Sequence, residues 1–236
     1  MTTTSIEIIP VLPFGMLNAY LIVTGDSAVL VDTGLPNSCE KVENALWKYE
    51  LDWSNLRLVV LTHAHIDHAG SAVDIQALSS APVLAHKAEV PYCQGRAPLL
   101  RPSGIFGRVF RTTRAIQQPF TYFTPDIIMG SQEVDLETYG IPARVTYTPG
   151  HTPGSISVIL KDGRVIAGDL LASGILLGGI AFRNRPKQPP FEEDTHEVAR
   201  SLEGLLKSNC HHFFLGHGGP LFAPIVKKHV QKLRSL

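Results

Sequence analysis

Cysteine is scarce in this chain, which has only Cys39, Cys93 and Cys210 among its 236 residues. An odd number of scattered cysteines with no C-x-x-C pair argues against a disulfide framework and against a thiolate metal site. Net charge is also lacking, because 21 basic side chains balance 21 acidic ones. A neutral chain has no overall field that would draw it to nucleic acid or to an anionic membrane. We therefore expect neither as a partner.

Long hydrophobic runs are missing as well. The longest apolar region, Leu170 to Phe182, is interrupted by glycines and is shorter than the roughly 20 residues that a membrane span needs. The first residues show no basic start followed by an apolar core, so no signal peptide is predicted. With 44% hydrophobic and 18% charged residues, the composition is that of a globular protein. We expect a cytoplasmic protein that folds as one domain over residues 1–236.

What the chain does contain is a dense cluster of side chains that can bind metal. His63, His65, Asp67 and His68 follow directly after the apolar run 58–61. A buried strand that ends in such a turn holds ligands on a rigid edge. Neutral imidazole and carboxylate are the groups that Zn²⁺ and its first-row neighbours prefer. The cluster therefore predicts a metal site.

Three later residues share one context with this cluster. His151, Asp169 and His217 each stand at the end of a β-like run and next to glycine. Glycine lets the backbone turn sharply and approach a bound ion closely. Together the seven side chains are too many for one tetrahedral ion and suit two ions that share a bridging group.

This ligand pattern resembles that of the metallo-β-lactamase superfamily, and the resemblance covers nearly the whole chain. It includes the early Val31-Asp32-Thr33-Gly34 and the closing Gly216-His217-Gly218-Gly219-Pro220. The resemblance implies an α/β fold, a four-layer αβ/βα sandwich with the metals at one edge of two sheets. It also implies a role for each residue: His63, His65 and His151 on one metal, Asp67, His68 and His217 on the second, Asp169 as the bridge, and Asp32 as a support of the histidine loop. For Asp32, simple turn chemistry is the other interpretation.

These ligands imply hydrolysis without a covalent intermediate. A hydroxide that bridges two metals is a nucleophile at neutral pH, because coordination lowers the pKa of water toward about 7. The position of Asp67 lies beside the bridging water in this family, so the resemblance assigns it the uptake of a proton. No G-x-S-x-G sequence occurs, which argues against a serine nucleophile.

The apolar patterns and turn residues also predict individual elements of the fold. Strands are expected at 6–9, 19–23, 28–31, 57–61, 82–85, 133–136, 143–148, 155–160, 164–167 and 213–215, and helices at about 36–50, 67–78, 192–207 and 223–233.

Two segments, at about residues 94–125 and 171–190, are predicted to be insertions in this domain. The first carries five arginines and several aromatic side chains but no acidic residue. Two interpretations are open for it: a substrate lid, since arginine matches anionic oxygens and aromatic rings offer apolar walls, or a solvated or dimer-contact insertion. The candidate pocket residues in it are Phe106, Phe110 and Tyr122.

Differences between subfamilies of this superfamily narrow the range of expected substrates. Acyl-homoserine lactonases place a tyrosine three residues after the bridging aspartate, where this chain has Ala172, a further candidate for the pocket. Glyoxalase II carries a helical extension after its last metal histidine, and only residues 218–236 follow His217 here. We expect two divalent ions, zinc first and iron or manganese as other options, and a small ester, lactone or thioester as substrate. Two alternatives are a mononuclear iron persulfide dioxygenase and a non-catalytic metal-binding member of the fold.

Overall fold

Two six-stranded sheets form the centre of the protein in the computed structural model, which describes residues 3–175, 178 and 180–236. The first sheet has the order β1-β2-β3-β4-β5-β6, with antiparallel pairs up to β3 and parallel pairs after it. Its strands are β1 (Thr4–Leu12), β2 (Leu17–Thr24), β3 (Ser27–Val31), β4 (Leu56–Val60), β5 (Val83–His86) and β6 (Ile127–Met129).

The second sheet has the order β14-β13-β10-β9-β8-β7, and β10 and β13 form its one parallel pair among the described residues. Its strands are β7 (Val134–Asp135), β8 (Ala143–Tyr147), β9 (Ile156–Leu160), β10 (Arg164–Ile166), β13 (His212–Phe214) and β14 (Leu221–Phe222). A separate two-stranded ribbon joins β11 (Ala172–Ser173) to β12 (Pro186–Lys187).

Seven α-helices complete the described structure. They are α1 (Cys39–Trp47), α2 (Ile66–Ala69), α3 (Ala72–Ser79), α4 (Val90–Cys93), α5 (Gly104–Thr112), α6 (Thr195–Lys207) and α7 (Ala223–Leu233). Within the described ranges, none of them is long and apolar enough to cross a membrane.

Strand β4 shows why the apolar runs fold into layers. Its side chains alternate between two cores: Leu58 and Val60 face the second sheet, while Val59 packs with helices α1 and α3 on the outer side. Both faces are covered after the exposed Arg57, so residues 58–61 form an uninterrupted apolar run. A third core lies between the second sheet and helices α6 and α7. These layers confirm the predicted αβ/βα sandwich.

Several predicted boundaries shift for local reasons. The helix expected at 36–50 begins only at Cys39, because Asn37 has a positive φ of 67°. The helix expected at 67–78 is split into α2 and α3, since the Gly70 amide donates to the Gly34 carbonyl at 2.9 Å and not within a helix. The final helix is confirmed at its predicted bounds, whereas the sequence did not predict α4 or α5. Of the second predicted insertion, residues 176, 177 and 179 lie outside the described residues.

Helix α7 buries a histidine that should make stability depend on pH. Burial, and then the Lys232 ammonium, lower the pKa of His229 to about 4, while an unfolded histidine titrates near about 6.5. The unfolded chain therefore binds the proton more tightly, so stability is lost as the pH falls from about 6.5 toward about 4. We expect His229→Leu to recover up to about 3 kcal/mol relative to the parent at the acid end.

Denaturant unfolding of both proteins between pH 4 and pH 8 would measure this effect. The exposed His196, replaced in the same way, serves as the control and should follow the parent curve. Parallel curves for parent and His229→Leu would contradict the assignment.

Candidate metal centre

Loops at one edge of the two sheets deliver all seven predicted ligands. Four of them lie in the loop and short helix after β4, and His151, Asp169 and His217 follow β8, β10 and β13. Each of the seven is buried, with at most 8% of its surface exposed. The structure thus brings together residues that are up to 154 positions apart, from 63 to 217.

Three imidazoles converge at the first position. His63 Nε2 lies 3.0 Å from His65 Nδ1, and His151 Nε2 lies 3.2 Å from the former and 3.3 Å from the latter. Zinc bound tetrahedrally about 2.0–2.1 Å from each nitrogen would place the nitrogens roughly 3.3 Å apart. The spacing therefore fits one metal held by His63, His65 and His151.

Two imidazoles and a carboxylate form the second group. Oδ2 of Asp67 lies 3.4 Å from His217 Nε2 and 3.9 Å from His68 Nε2. His217 Nδ1–H donates a hydrogen bond to the Met16 carbonyl oxygen at 2.5 Å, which leaves Nε2 directed at the site. Such a contact fixes the tautomer and ring orientation of a ligating histidine.

Asp169 stands between the two groups. Its Oδ2 is 3.7 Å from His151 Nε2 and 3.2 Å from His217 Nε2, and its Oδ1 is 3.6 Å from His68 Nε2. One carboxylate therefore reaches ligands of both groups, which is the position that a bridge requires. Gly216 permits this approach, because a Cβ at that residue would lie 2.1 Å from Asp169 Oδ1.

Asp32 supports the histidine loop through hydrogen bonds, as the resemblance implies. Its carboxylate accepts from the Thr62 amide and the Thr62 hydroxyl, each at 2.8 Å. It also lies 2.8 Å from His68 Nδ1, so that ring donates to it and keeps Nε2 for the site. Asp32 has a φ of 61°, a conformation that Asp and Asn tolerate better than most residues.

The electrostatics differ between the two groups. Burial lowers the pKa of His65 to about 3 and that of His151 to about 4, so these rings are neutral lone-pair donors near pH 7. Burial also opposes the charge on His68, but the carboxylates of Asp32, Asp169 and Asp67 outweigh it and raise its pKa to about 9. Since ligands must lose their protons to bind metal, metal binding at the second group would release protons.

Several buried polar atoms at the site have no hydrogen-bond partner among the described residues. These are Asp67 Oδ1, His68 Nε2, His151 Nδ1 and Asp169 Oδ1. A buried polar atom without a partner costs roughly 1–3 kcal/mol, so clusters of them call for an explanation. The atoms belong to the donor set that divalent metals prefer, and the residues present therefore fit a metal centre.

Glu89 is a residue at this site that sequence reasoning missed. It is fully buried after β5, and its carboxylate accepts from the Ala64 amide at 2.8 Å, the Gly154 amide at 2.9 Å and the Thr152 hydroxyl at 2.8 Å. It thereby ties the loop of His63 and His65 to the loop of His151. Burial raises its pKa to about 7, against the effect of the three donors. The only sequence signal was one acidic residue shortly after an apolar strand.

We expect Glu89→Gln to weaken metal binding about 10–100-fold, because the two loops that carry the first group would lose their common anchor. A glutamine offers one acceptor oxygen and turns its amide group toward a backbone donor, which should also cost about 1–3 kcal/mol of stability. Metal affinity by competition with a chelator would test this. The exposed Glu133, changed to glutamine, is the matched control, and equal affinities for both variants would refute the role.

A small cavity of about 30 Å³ opens beside the metal ligands. Apolar side chains wall it, namely Phe110, Ile116, Pro190 and Phe191. Of the four predicted pocket residues, only Phe110 lines it; Phe106 stacks on Phe110 at 5.8 Å from the outer side. Tyr122 packs against Phe120, and Ala172 is buried in β11, so the structure does not bring these two to the cavity wall.

Comparisons with known proteins agree with this fold. A family model described as the metallo-beta-lactamase superfamily matches residues 12–217. The probable metallo-hydrolase YflN of Bacillus subtilis is 30% identical over 207 residues, which cover 83% of this chain and 76% of that protein. The metallo-beta-lactamase fold-containing protein ST1585 of Sulfurisphaera tokodaii is 25% identical over 211 residues, covering 88% and 74%.

Solved structures share the fold. The metallo-beta-lactamase family protein TTHA1429 of Thermus thermophilus superposes with a TM-score of 0.67 at 22% identity, covering 98% of this chain and 78% of the other. The BLEG-1 B3 metallo-beta-lactamase gives a TM-score of 0.68 at 23% identity, covering 97% and 99%. At 22% and 23% identity, these similarities show a shared fold alone.

Proposed function

The chain belongs to the metallo-beta-lactamase superfamily, and from this premise we propose that it is a dinuclear metal-dependent hydrolase of a small ester, lactone or thioester. The observation that carries the proposal is the position of Asp169, whose carboxylate lies within 3.7 Å of ligands from both groups. Two separate ligand groups around one carboxylate favour two ions over one. Zinc suits the imidazole-rich donor set best, and iron or manganese would also be accepted.

When bound, divalent metals in such a site supply a nucleophile at neutral pH by lowering the pKa of water, and they polarise the carbonyl under attack. Asp67 is the group of this chain that can accept the proton, and it lines the cavity. Burial opposes the charge on its carboxyl, but the charges of His68 and His217 outweigh this cost and lower its pKa to about 2. Its carboxylate is therefore ionised at neutral pH. Phe110, Ile116 and Phe191 offer apolar contacts to the acyl group.

Helix α5 and the turn that follows it support the lid interpretation of segment 94–125. Phe110 and Ile116 come from this segment and close the cavity from outside. About 30 Å³ holds no more than a few water molecules, so an acyl substrate requires this cover to move. The alternative, a solvated or dimer-contact insertion, remains a prediction.

The contact between α5 and Pro190 gives a way to test the lid. Gly107 packs so closely there that a Cβ would lie 2.1 Å from the Pro190 carbonyl oxygen. We expect Gly107→Ala to displace α5 and to lower kcat/KM by about 10–100-fold while metal content stays unchanged, since small misplacements of contact residues have effects of this size. Steady-state kinetics and metal analysis would measure both quantities.

Gly204→Ala is the control, because a Cβ at Gly204 in α6 meets nothing within 4 Å. Should Gly107→Ala leave kcat/KM at the parental value, α5 would not act as a lid.

Metal analysis followed by a hydrolysis panel tests the proposed function itself. Two zinc ions per chain and chelator-sensitive hydrolysis of a lactone, thioester or ester would support it. One iron per chain with oxygen consumption on a persulfide would support the dioxygenase instead. A chain that binds no metal and hydrolyses none of these compounds would be a non-catalytic member of the fold.

A further inference from the structure

A second, larger cavity lies on the outer side of the lid. The α5–α7 groove, as we name it, has a volume of about 440 Å³, within the usual range for small-molecule sites of roughly 300–1,000 Å³. It runs between the start of α5, the chain around β12 and the second half of α7. Its walls include Phe106, Lys187, Pro190, His229, Lys232 and Leu233.

The chemistry of the groove is apolar and cationic. Most lining residues are aliphatic, aromatic or proline, and two are lysines. The Lys187 ammonium lies 5.8 Å from the centre of the Phe106 ring. None of the side chains that line the groove in the described part of the chain is acidic. Such a surface is complementary to a molecule with an apolar body and a negative charge.

A buried imidazole points to a ligand independently. His229 lines the groove with only 4% of its surface exposed, and its Nε2 has no hydrogen-bond partner among the described residues. Buried polar atoms are normally satisfied, so this atom of the groove wall would gain a hydrogen bond if a bound polar group reached it. A neutral imidazole can donate to an anionic oxygen from this position.

The groove and the metal cavity share a wall. Pro190 lines both of them. Phe106 on the groove side stacks on Phe110 with ring centres 5.8 Å apart, and Phe110 stacks on Phe191 at 5.8 Å. A molecule that reaches over this aromatic wall would place one end at the metals and the other in the groove.

We propose that the α5–α7 groove binds the anionic end of an amphiphilic substrate, so that the enzyme prefers acyl compounds whose apolar part carries a carboxylate, phosphate or sulfonate. This rests on the proposed hydrolase function for the reaction but not for the binding. Lys232 holds the anion electrostatically, the apolar walls hold the chain, and His229 donates to an oxygen of the head group. The ester, lactone or thioester group then lies at the metal cavity.

Binding is tested on the metal-loaded protein with octanesulfonate and octyltrimethylammonium, which differ in charge but have the same alkyl chain. By titration calorimetry we expect the anion to bind at least about tenfold more tightly than the cation, and Lys232→Glu to weaken anion binding about tenfold. Lys228→Glu changes the same charge on the same helix outside the groove and should bind like the parent. Equal binding of the two amphiphiles, or equal loss in both variants, would overturn the proposal.

Kinetics separate this inference from the proposed function. The monophenyl ester of sebacic acid and phenyl decanoate offer the same type of ester with and without a terminal carboxylate, on a chain long enough to cross the aromatic wall. We expect the ratio of their kcat/KM values to favour the sebacate monoester and to fall about tenfold in Lys232→Glu. If the parent binds octanesulfonate selectively but hydrolyses no ester, the proposed function fails and the groove stands. If it hydrolyses both esters and Lys232→Glu leaves the ratio unchanged, the groove fails and the function stands.

Discussion

Asp169→Asn is expected to lose at least about 10³-fold in activity and to retain no more than one metal per chain. Its carboxylate is the one that lies within 3.7 Å of ligands from both groups. An amide of the same shape carries no charge to hold two cations, and the stabilisation that metals give to a transition state amounts to several kcal/mol. Metal content by mass spectrometry and kcat on the best substrate of the hydrolysis panel are the two measurements.

The matched control for this variant is Asp162→Asn. Asp162 precedes the same strand, β10, but its side chain is about half exposed and pairs with Arg164. We expect parental metal content and activity there. Two metals and full activity toward every substrate in Asp169→Asn would show that the carboxylate is no bridge, and the dinuclear hydrolase would have to be abandoned.

Asp32→Asn is expected to lower metal affinity and activity about 10–100-fold and to cost about 3 kcal/mol of stability or more. The carboxylate accepts three hydrogen bonds, two from Thr62 and one from His68. Asparagine adopts the φ of 61° readily, so backbone strain should not contribute to the loss of affinity or stability. Its amide group, however, must face a donor, and His68 loses the charge that helps to raise its pKa to about 9.

Three measurements distinguish this role from a general loss of folding. Chelator competition gives the metal affinity, denaturant unfolding gives the stability, and the titration of His68 by NMR in metal-free protein should move to lower pH. Asp26→Asn, at the exposed turn between β2 and β3, is the control. If Asp32→Asn keeps parental metal affinity and the His68 titration does not move, Asp32 serves only the turn.

The seven residues of the candidate metal centre were predictable because each is marked by its neighbours in the sequence. His63, His65, Asp67 and His68 stand within six residues after an apolar strand, and the three later ligands follow β runs next to glycine. Strand ends in a layered α/β fold gather at one edge, so the residues at those ends meet. The family resemblance added the order of the ligands and the support by Asp32.

The residues around the ligands were less predictable, because their roles depend on contacts distant in sequence. The Glu89 carboxylate accepts hydrogen bonds from Ala64 on one side and Thr152 on the other. No sequence feature near position 89 indicates either partner. Among the proposed pocket residues, Phe110 reaches the cavity, whereas Tyr122 turns to Phe120. The aromatic residues of segment 94–125 indicated that it forms apolar contacts. Which of its rings lines the cavity depends on the fold.

By itself, the sequence determined the sandwich fold, the superfamily and the seven residues that meet in the candidate metal centre. Strand patterns and metal-ligand spacing are short-range features, and each can be recognised within a few residues. Only the tertiary structure decided that Phe110 of α5 lines the small cavity beside the candidate ligands. It also decided that Glu89 joins the loop of His63 to the loop of His151 and that a groove with two lysines lies beside Phe106. These depend on contacts between distant segments of the chain, such as that of Gly107 in α5 with Pro190. Hydrophobic pairing of that kind is non-directional, so the sequence pattern shows that such surfaces pack but does not specify their partners.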